Sequence, residues 1–418
     1  MRDRGDEADA KMRAEARDEA ISDNHAGGFR ASIPRDGGSA LRPGLAQLAG
    51  FVPQAGGALQ AAGTLSGGRR RASRSGGADG GAVGATGGAR ADLGPRFDQV
   101  VFPGGYVWWY VDAFSDDGRF GLTIIAFVGS VFSPYYAWGG RRDPEDHCAI
   151  NVALYGETKR WTMTERGRGA LSRSADTFAL GRSHISSDGE GLDIWIDEIC
   201  APWPHRLKGR VRLDSEAFNP RTFELDRAGR HLWRPIAPLA RVSVEWETPT
   251  LSWSGPGYFD TNRGDEPLEA AFRSWTWSRA RLTHGARVFY EAERRRDGPL
   301  SLNLGFADDG AIREIEPPPR APLPKSLWRV ARDTRSDGAA RLLESLEDAP
   351  FYARSRIAHR IAGEDAISMH ETLDLDRFAS PIVKAMLPFR MPRSIGRPIN
   401  AGRFPAPPFP ARRAPDPP

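Results

Sequence analysis

The sequence predicts a mostly β protein, an antiparallel sandwich or barrel, on three observations. Short runs alternate with a period of two, as in Leu192, Ile194 and Ile196 against Asp193, Trp195 and Asp197, or Val242, Val244 and Trp246 against Arg241, Ser243 and Glu245. Other runs are aromatic and β-branched, as in Tyr106-Val107-Trp108-Trp109-Tyr110-Val111, which suits a strand covered on both faces. Turn signals such as Asp116-Asp117-Gly118 separate the runs. Helical spacing is confined to 339–346 and, as a second candidate, 355–362.

Taken in order, residues 1–95 are Gly, Ala, Arg and Ser with almost no aromatics. Such a composition cannot bury enough apolar surface to offset the entropy of ordering, so a disordered tail is expected, with a short helix at 6–21. At Phe97 the composition changes. Strands are expected at 106–111 and 120–132, then a hairpin of 149–155 and 160–164 around Gly156. Further strands follow at 192–197, 207–214 and 242–247, then at 274–281, 286–293 and 300–306. Pro317-Pro318-Pro319 breaks any element there, and the Pro-rich ending from Pro388 is not expected to form a packed core. The expected organisation is a tail (1–95), a first β domain (96–247), a second β domain (248–385) joined to it between Trp246 and Trp253, and a C-terminal tail (386–418).

The chain has 418 residues, 40% hydrophobic, enough for one large core or two smaller ones. Its net charge is only +4, and the Arg69–Arg71 and Arg294–Arg296 runs are short, so a nucleic-acid partner is not expected. Cys148 and Cys200 lack any CxxC or Cys/His spacing and read as two buried reduced thiols. The charged start has no apolar segment of the secretory kind, and the longest apolar run falls far short of the ~20 residues that span a bilayer. A soluble or membrane-surface protein of the cytoplasm is expected.

Metal-site spacing, a Walker loop, GxSxG and a strand-to-helix GxGxxG are all absent from the sequence. What remains is Gly255-Pro256-Gly257-Tyr258-Phe259-Asp260-Thr261-Asn262-Arg263-Gly264, and before it His231-Leu232-Trp233. In an extended segment Tyr258 and Asp260 share a face, as do His231 and Trp233. An Asp among aromatics has its pKa raised by desolvation and can donate a proton near neutral pH, while Tyr and Trp faces stabilise a cation. His231 could hold Asp260 in its acid form or position a water. Equally, Asp260 to Gly264 makes a good turn in which the carboxylate bonds turn amides. Spacing alone favours the turn.

Several stretches together resemble one family. They are Phe97-Asp98-Gln99-Val100-Val101-Phe102-Pro103-Gly104-Gly105-Tyr106, Val131-Phe132-Ser133-Pro134-Tyr135-Tyr136, Asp146-His147-Cys148-Ala149-Ile150-Asn151-Val152-Ala153-Leu154-Tyr155, Arg230-His231-Leu232-Trp233-Arg234-Pro235-Ile236-Ala237-Pro238, the Gly255–Gly264 segment, and Met386-Leu387-Pro388-Phe389-Arg390-Met391-Pro392-Arg393. In these the chain resembles the carotenoid 1,2-hydratases (hydroxyneurosporene synthases), with the first 95 residues outside the match. The resemblance implies two lipocalin-like β-barrel domains, no cofactor, and an Asp as the acid. That role falls on Asp260, with Tyr258, Trp233 and His231 around it. It implies hydration of the terminal C1–C2 double bond of an acyclic carotene such as neurosporene or lycopene, inside a barrel that holds the apolar ligand. A hydratase of this kind would contact the lipid of the inner, photosynthetic membrane peripherally; 133–138 or 382–389 could make that contact, and either reads equally as core packing. The rivals are a non-catalytic lipocalin-like carrier of an apolar ligand, and a glycoside hydrolase pairing Asp260 with Asp265 or Glu266.

Overall fold

The aromatic run that opens the ordered sequence becomes β1 (Tyr106–Phe114), and the turn after it brings β2 (Gly121–Val128) back antiparallel. A computed structural model describes residues 94–394 apart from residue 217, all in one compact unit. The expected helix at 6–21 lies outside the described residues. β3 (Cys148–Tyr155) and β4 (Arg160–Arg166) form the next hairpin. β5 (Leu171–Arg173), β6 (Thr177–Leu180), β7 (Ser183–Ser187), β8 (Gly191–Ile199) and β9 (Arg206–Asp214) then meander. The short β10 (Phe223–Glu224) precedes two long strands, β11 (His231–Thr248) and β12 (Thr250–Gly264). These twelve make one sheet in the order β4-β3-β2-β1-β12-β11-β9-β8-β7-β6-β5, with β10 on β11. It curls until β4 lies beside β8, where Thr162 Oγ1 donates to the Ile199 carbonyl at 2.9 Å and Arg166 pairs with Glu198. The domain division expected at 247/248 falls at the tip of the β11–β12 hairpin, and both strands belong to this sheet.

A second sheet follows: β13 (Phe272–Arg281), β14 (Ala286–Arg294), β15 (Pro299–Phe306), β16 (Ile312–Glu314), β19 (Arg341–Asp348), β20 (Tyr352–Ile361) and β21 (Glu364–Asp374). The separate hairpin β17 (Arg320–Leu323) and β18 (Arg332–Arg335) packs on its far face, where Arg332 Nη1 donates to Ser355 Oγ at 2.9 Å. Among the described residues, four short α-helices are α1 (Pro134–Trp138), α2 (Leu268–Ala271), α3 (Leu375–Ala379) and α4 (Pro381–Met386). No helix among the described residues is long and apolar enough to cross a membrane. Both cysteines are buried free thiols.

The predicted class holds: the protein is mostly β and antiparallel. The two segments with helical spacing are instead strands β19 and β20. Two register shifts where β19 meets β20, between Leu342 and Glu344 and between Ser345 and Glu347, break its period of two, and that imitates a helical repeat. The Pro-rich ending also packs further than expected. Leu387 and Met391 are buried in the core, and Arg393 pairs with Asp146 at 2.7 Å.

Two large cores flank the first sheet, one on each face, and a smaller cluster of Ala280, Leu282, Phe289, Ile361 and Ala366 lies on the second sheet. Val107, Trp109 and Val111 of β1 point into the interior of the first sheet, which their neighbours fill. Tyr106, Trp108 and Tyr110 point the other way, onto Trp275, Trp277 and Tyr290 of the second sheet. Strand alternation thus builds a filled lumen and a separate layer between the sheets.

Candidate active site

The predicted residues lie in that layer, not in the lumen where a barrel-held ligand was expected. Pairing of β12 with β1 sets Asp260 opposite Tyr110 and Tyr258 opposite Asp112. Pairing with β11 sets Trp233 opposite Asn262 and His231 opposite Gly264. Asp260 to Gly264 is therefore strand, not turn. Its glycines serve close approach: a Cβ on Gly255 would lie 2.0 Å from the Phe114 carbonyl oxygen, and one on Gly264 would lie 2.7 Å from His231 Nδ1.

Asp260 is 4% exposed. Its Oδ2 accepts from Trp233 Nε1 at 2.8 Å and from Tyr258 Oη at 2.9 Å, while Oδ1 has no hydrogen-bond partner among the described residues. Burial pushes the carboxyl up to about 8, against the two hydrogen bonds, which pull it down. The negative charges of Glu371 and Asp112 add to the rise. Around the carboxyl, Tyr258 packs on Trp277 at 5.2 Å between ring centroids and Trp233 on Tyr290 at 5.1 Å.

The layer changes character at Asp260. To one side run Trp108 on Trp275, then Phe127, Phe132, Phe351 and Phe378, an aromatic path to α3. To the other side lie charges. Asp112 takes Arg279 Nε at 2.8 Å, and Glu371 accepts from Tyr110 Oη at 2.7 Å and Arg354 Nε at 2.8 Å. A buried carboxyl thus sits where an aromatic path meets a cluster of charged side chains.

Three of the four predicted residues converge, Asp260, Tyr258 and Trp233. His231 does not bond Asp260. Its register partner lies four residues along β12, roughly 13 Å at strand rise. His231 Nδ1 shares a 2.8 Å hydrogen bond with Tyr106 Oη, its ring meets Phe272, and burial pulls its pKa down. Asp265 and Glu266, the partners needed for glycoside hydrolysis, lie beyond the end of β12, where Glu266 is held by Arg230 at 3.1 Å. Sequence reading missed Tyr110, Asp112, Trp277, Arg279, Tyr290, Arg354 and Glu371. One signal was available: Asp112 is the single charged residue in β1, an otherwise apolar and aromatic strand. A cavity of about 370 Å³ lined by Thr276, Glu291, Arg320, Arg332 and Thr372 lies elsewhere, under the β17–β18 hairpin, and none of the four predicted residues lines it.

Comparison with known proteins adds to this geometry. The family model described as "Carotenoid hydratase CrtC" matches residues 124–400. An acyclic carotenoid 1,2-hydratase of Thiocapsa roseopersicina is 52% identical over 387 residues, covering 91% of this chain and 95% of that protein. One from Rubrivivax gelatinosus is 51% identical over 399 residues, covering 92% and 98%. One from Cereibacter sphaeroides is 44% identical over 276 residues, covering 65% of this chain and 99% of that protein. The first two shares require aligned residues within the first 95, so the similarity extends into the segment that sequence reading set outside it.

Proposed function

The chain belongs to the carotenoid hydratase family, and we propose that Asp260 is the acid with which it adds water to the terminal C1–C2 double bond of an acyclic carotene. Family membership decides for a hydro-lyase over a carrier. One observation carries the acid assignment: a buried carboxyl with one oxygen held by Trp233 and Tyr258 and the other without a partner. Titrating at about 8, it keeps its proton at neutral pH, and that proton belongs on the unbonded Oδ1. Transfer to C2 uses the π pair for the new C–H bond and leaves a tertiary cation at C1. The oxygen of a water then closes the C1–O bond. The faces of Tyr258, Trp277 and Tyr110 favour the cation by ~0.5–2 kcal/mol each. Water and the acid suffice, so the scheme needs no cofactor. Neurosporene, lycopene and their derivatives are the substrates of matching chemistry.

The two bonds to Oδ2 also stabilise the carboxylate left after proton transfer. Tyr258→Phe and Trp233→Phe should each slow hydration by roughly 10-fold, about the worth of one hydrogen bond to a charged group. Each bond lowers the Asp260 pKa, so each loss should move the alkaline limb of kcat to higher pH. Rate profiles between pH 6 and 10 check this, and an unmoved limb in both variants would detach these residues from the acid.

A carotene resides in lipid, and the aromatic path from Asp260 leads toward the surface that meets it. Ile382 is 76% exposed and Phe389 59%, just past the buried Phe378. Trp138 is 57% exposed, and Glu269 holds both Arg141 and Lys384, tying the segment after α1 to α4. The enzyme docks peripherally on the membrane here, from the cytoplasm. The double variant Ile382→Asp, Phe389→Asp should float several-fold less with phosphatidylglycerol vesicles. It should still turn over detergent-dispersed lycopene at the parent rate.

A further inference from the structure

Addition of water needs a second group: the oxygen that attacks C1 must lose a proton. We propose that Asp112 is the base that takes it, an assignment that rests on Asp260 being the acid. Asp112 is fully buried in β1 and belongs to the same inter-sheet layer. Its Oδ1 is bonded by the Arg279 guanidinium, through Nε at 2.8 Å and through Nη2, which matches a negative carboxylate. Its Oδ2 is buried and has no hydrogen-bond partner among the described residues. A buried carboxylate oxygen left unbonded is uncommon, because its desolvation is uncompensated unless a donor arrives.

Register fixes the distance scale. Asp260 faces Tyr110 across the strand pair and Asp112 is two residues further along β1, so the two residues are diagonal neighbours on one face, at strand positions ~7–8 Å apart with both side chains directed into the same layer. Glycosidases that place a water between an acid and a base use a carboxyl separation of ~6.5–9.5 Å. Here Asp260 has a free Oδ1 and Asp112 a free Oδ2. The rivals fit less well. Glu371 Oε1 is taken by Tyr110 and Arg354 and its Oε2, unlike Asp112 Oδ2, is not a buried oxygen left without a partner, and His231 is roughly 13 Å away along β12.

The step balances. The C2–H bond forms with the Asp260 proton, the C1–O bond forms from a water lone pair, and one O–H bond of that water breaks toward Asp112 Oδ2. Asp112 then carries the proton and Asp260 the charge. A second water exchanges the proton back before the next turnover.

The test is Asp112→Asn with lycopene in D2O, alongside Asp260→Asn. A cation that is formed but not captured can lose a methyl proton to the Asp260 carboxylate. This gives an isopropenyl isomer of lycopene bearing one deuterium at C2. Asp112→Asn should lower hydrated product about 100-fold and accumulate the deuterated isomer. Hydration within threefold of the parent overturns the assignment, and so does loss of hydration with no isomer, the result of a purely structural role. If Asp112→Asn does not fold, Asp112→Leu with Arg279→Met replaces the ion pair by apolar groups and faces the same criteria. Full activity of Asp260→Asn would remove the acid and the base together. An inactive Asp260→Asn beside an active Asp112→Asn removes the base alone.

Discussion

Asp260→Asn is expected to lower hydration by about 10²–10⁴-fold, the usual worth of a positioned general acid, and to make the protein more stable. The second half follows from proton linkage. The folded-state carboxyl titrates at about 8 against an ordinary value of 3.8, because burial disfavours its charge. Below 3.8 both the folded and unfolded chains hold the proton, and the site carries no penalty. Between 3.8 and about 8 the unfolded chain has released it and the folded chain has not, so stability falls as pH rises through this window. Asparagine keeps an oxygen for Trp233 and Tyr258 and has no charge to bury. Its advantage should be small at pH 4 and grow to a few kcal/mol, in order of magnitude, by pH 8. Urea unfolding of both proteins at pH 4, 6 and 8 checks the slope. A variant that is inactive and equally destabilised at every pH would argue for damage rather than a removed acid.

Arg354→Met is expected to cost about 3–5 kcal/mol, the usual result of leaving buried partners of an ion pair uncompensated. Arg354 is almost fully buried and joins the two sheets. It donates to Glu371 of β21 at 2.8 Å and to the Tyr155 hydroxyl of β3 at 2.6 Å, and it pairs with Glu347 of β19. Glu347 in turn accepts from Tyr155 at 2.6 Å and from Trp161 at 2.9 Å. Removing the guanidinium strands two carboxylates in the layer. Arg241→Met provides the contrast, since its ion pair with Asp116 is more than half exposed on both sides and should be worth under about 1 kcal/mol. Equilibrium unfolding in urea separates the two, and equal costs would deny Arg354 its role as the inter-sheet clamp.

Much of the frame was legible from sequence because most strands keep their period of two. β8, β9 and the outer half of β11 alternate between core and solvent, and their residues say which face is which. β1 and much of β12 are buried on both faces, so their composition cannot tell lumen from inter-sheet layer. The site was for that reason expected in the wrong compartment. Tyr258, Asp260 and Trp233 were nonetheless found together, since same-face spacing and cross-strand pairing are local. The charged half of the layer was not, because Asp112 finds Arg279 across 167 residues and Arg354 finds Tyr155 across 199. No local pattern encodes such pairs. β19 and β20 were read as helix for a related reason, β19 because its bulges shift the apolar spacing mid-strand.

The division of the layer between two sheets separates two kinds of heredity in this molecule. The proposed acid and both groups that hold it, Asp260, Trp233 and Tyr258, come from a single hairpin of the first sheet. The wall they face, Trp275, Trp277 and Tyr290, comes from the second sheet, and its rings pack on Trp233 and Tyr258. A lumen of fixed strand number has a diameter that its closure dictates, whereas the gap between facing sheets widens or narrows with the side chains filling it. Trimming the far wall therefore reshapes the room offered to a chain end while every hydrogen bond to the acid stays in place. Selection, natural or in the laboratory, can change what is hydrated without relearning how.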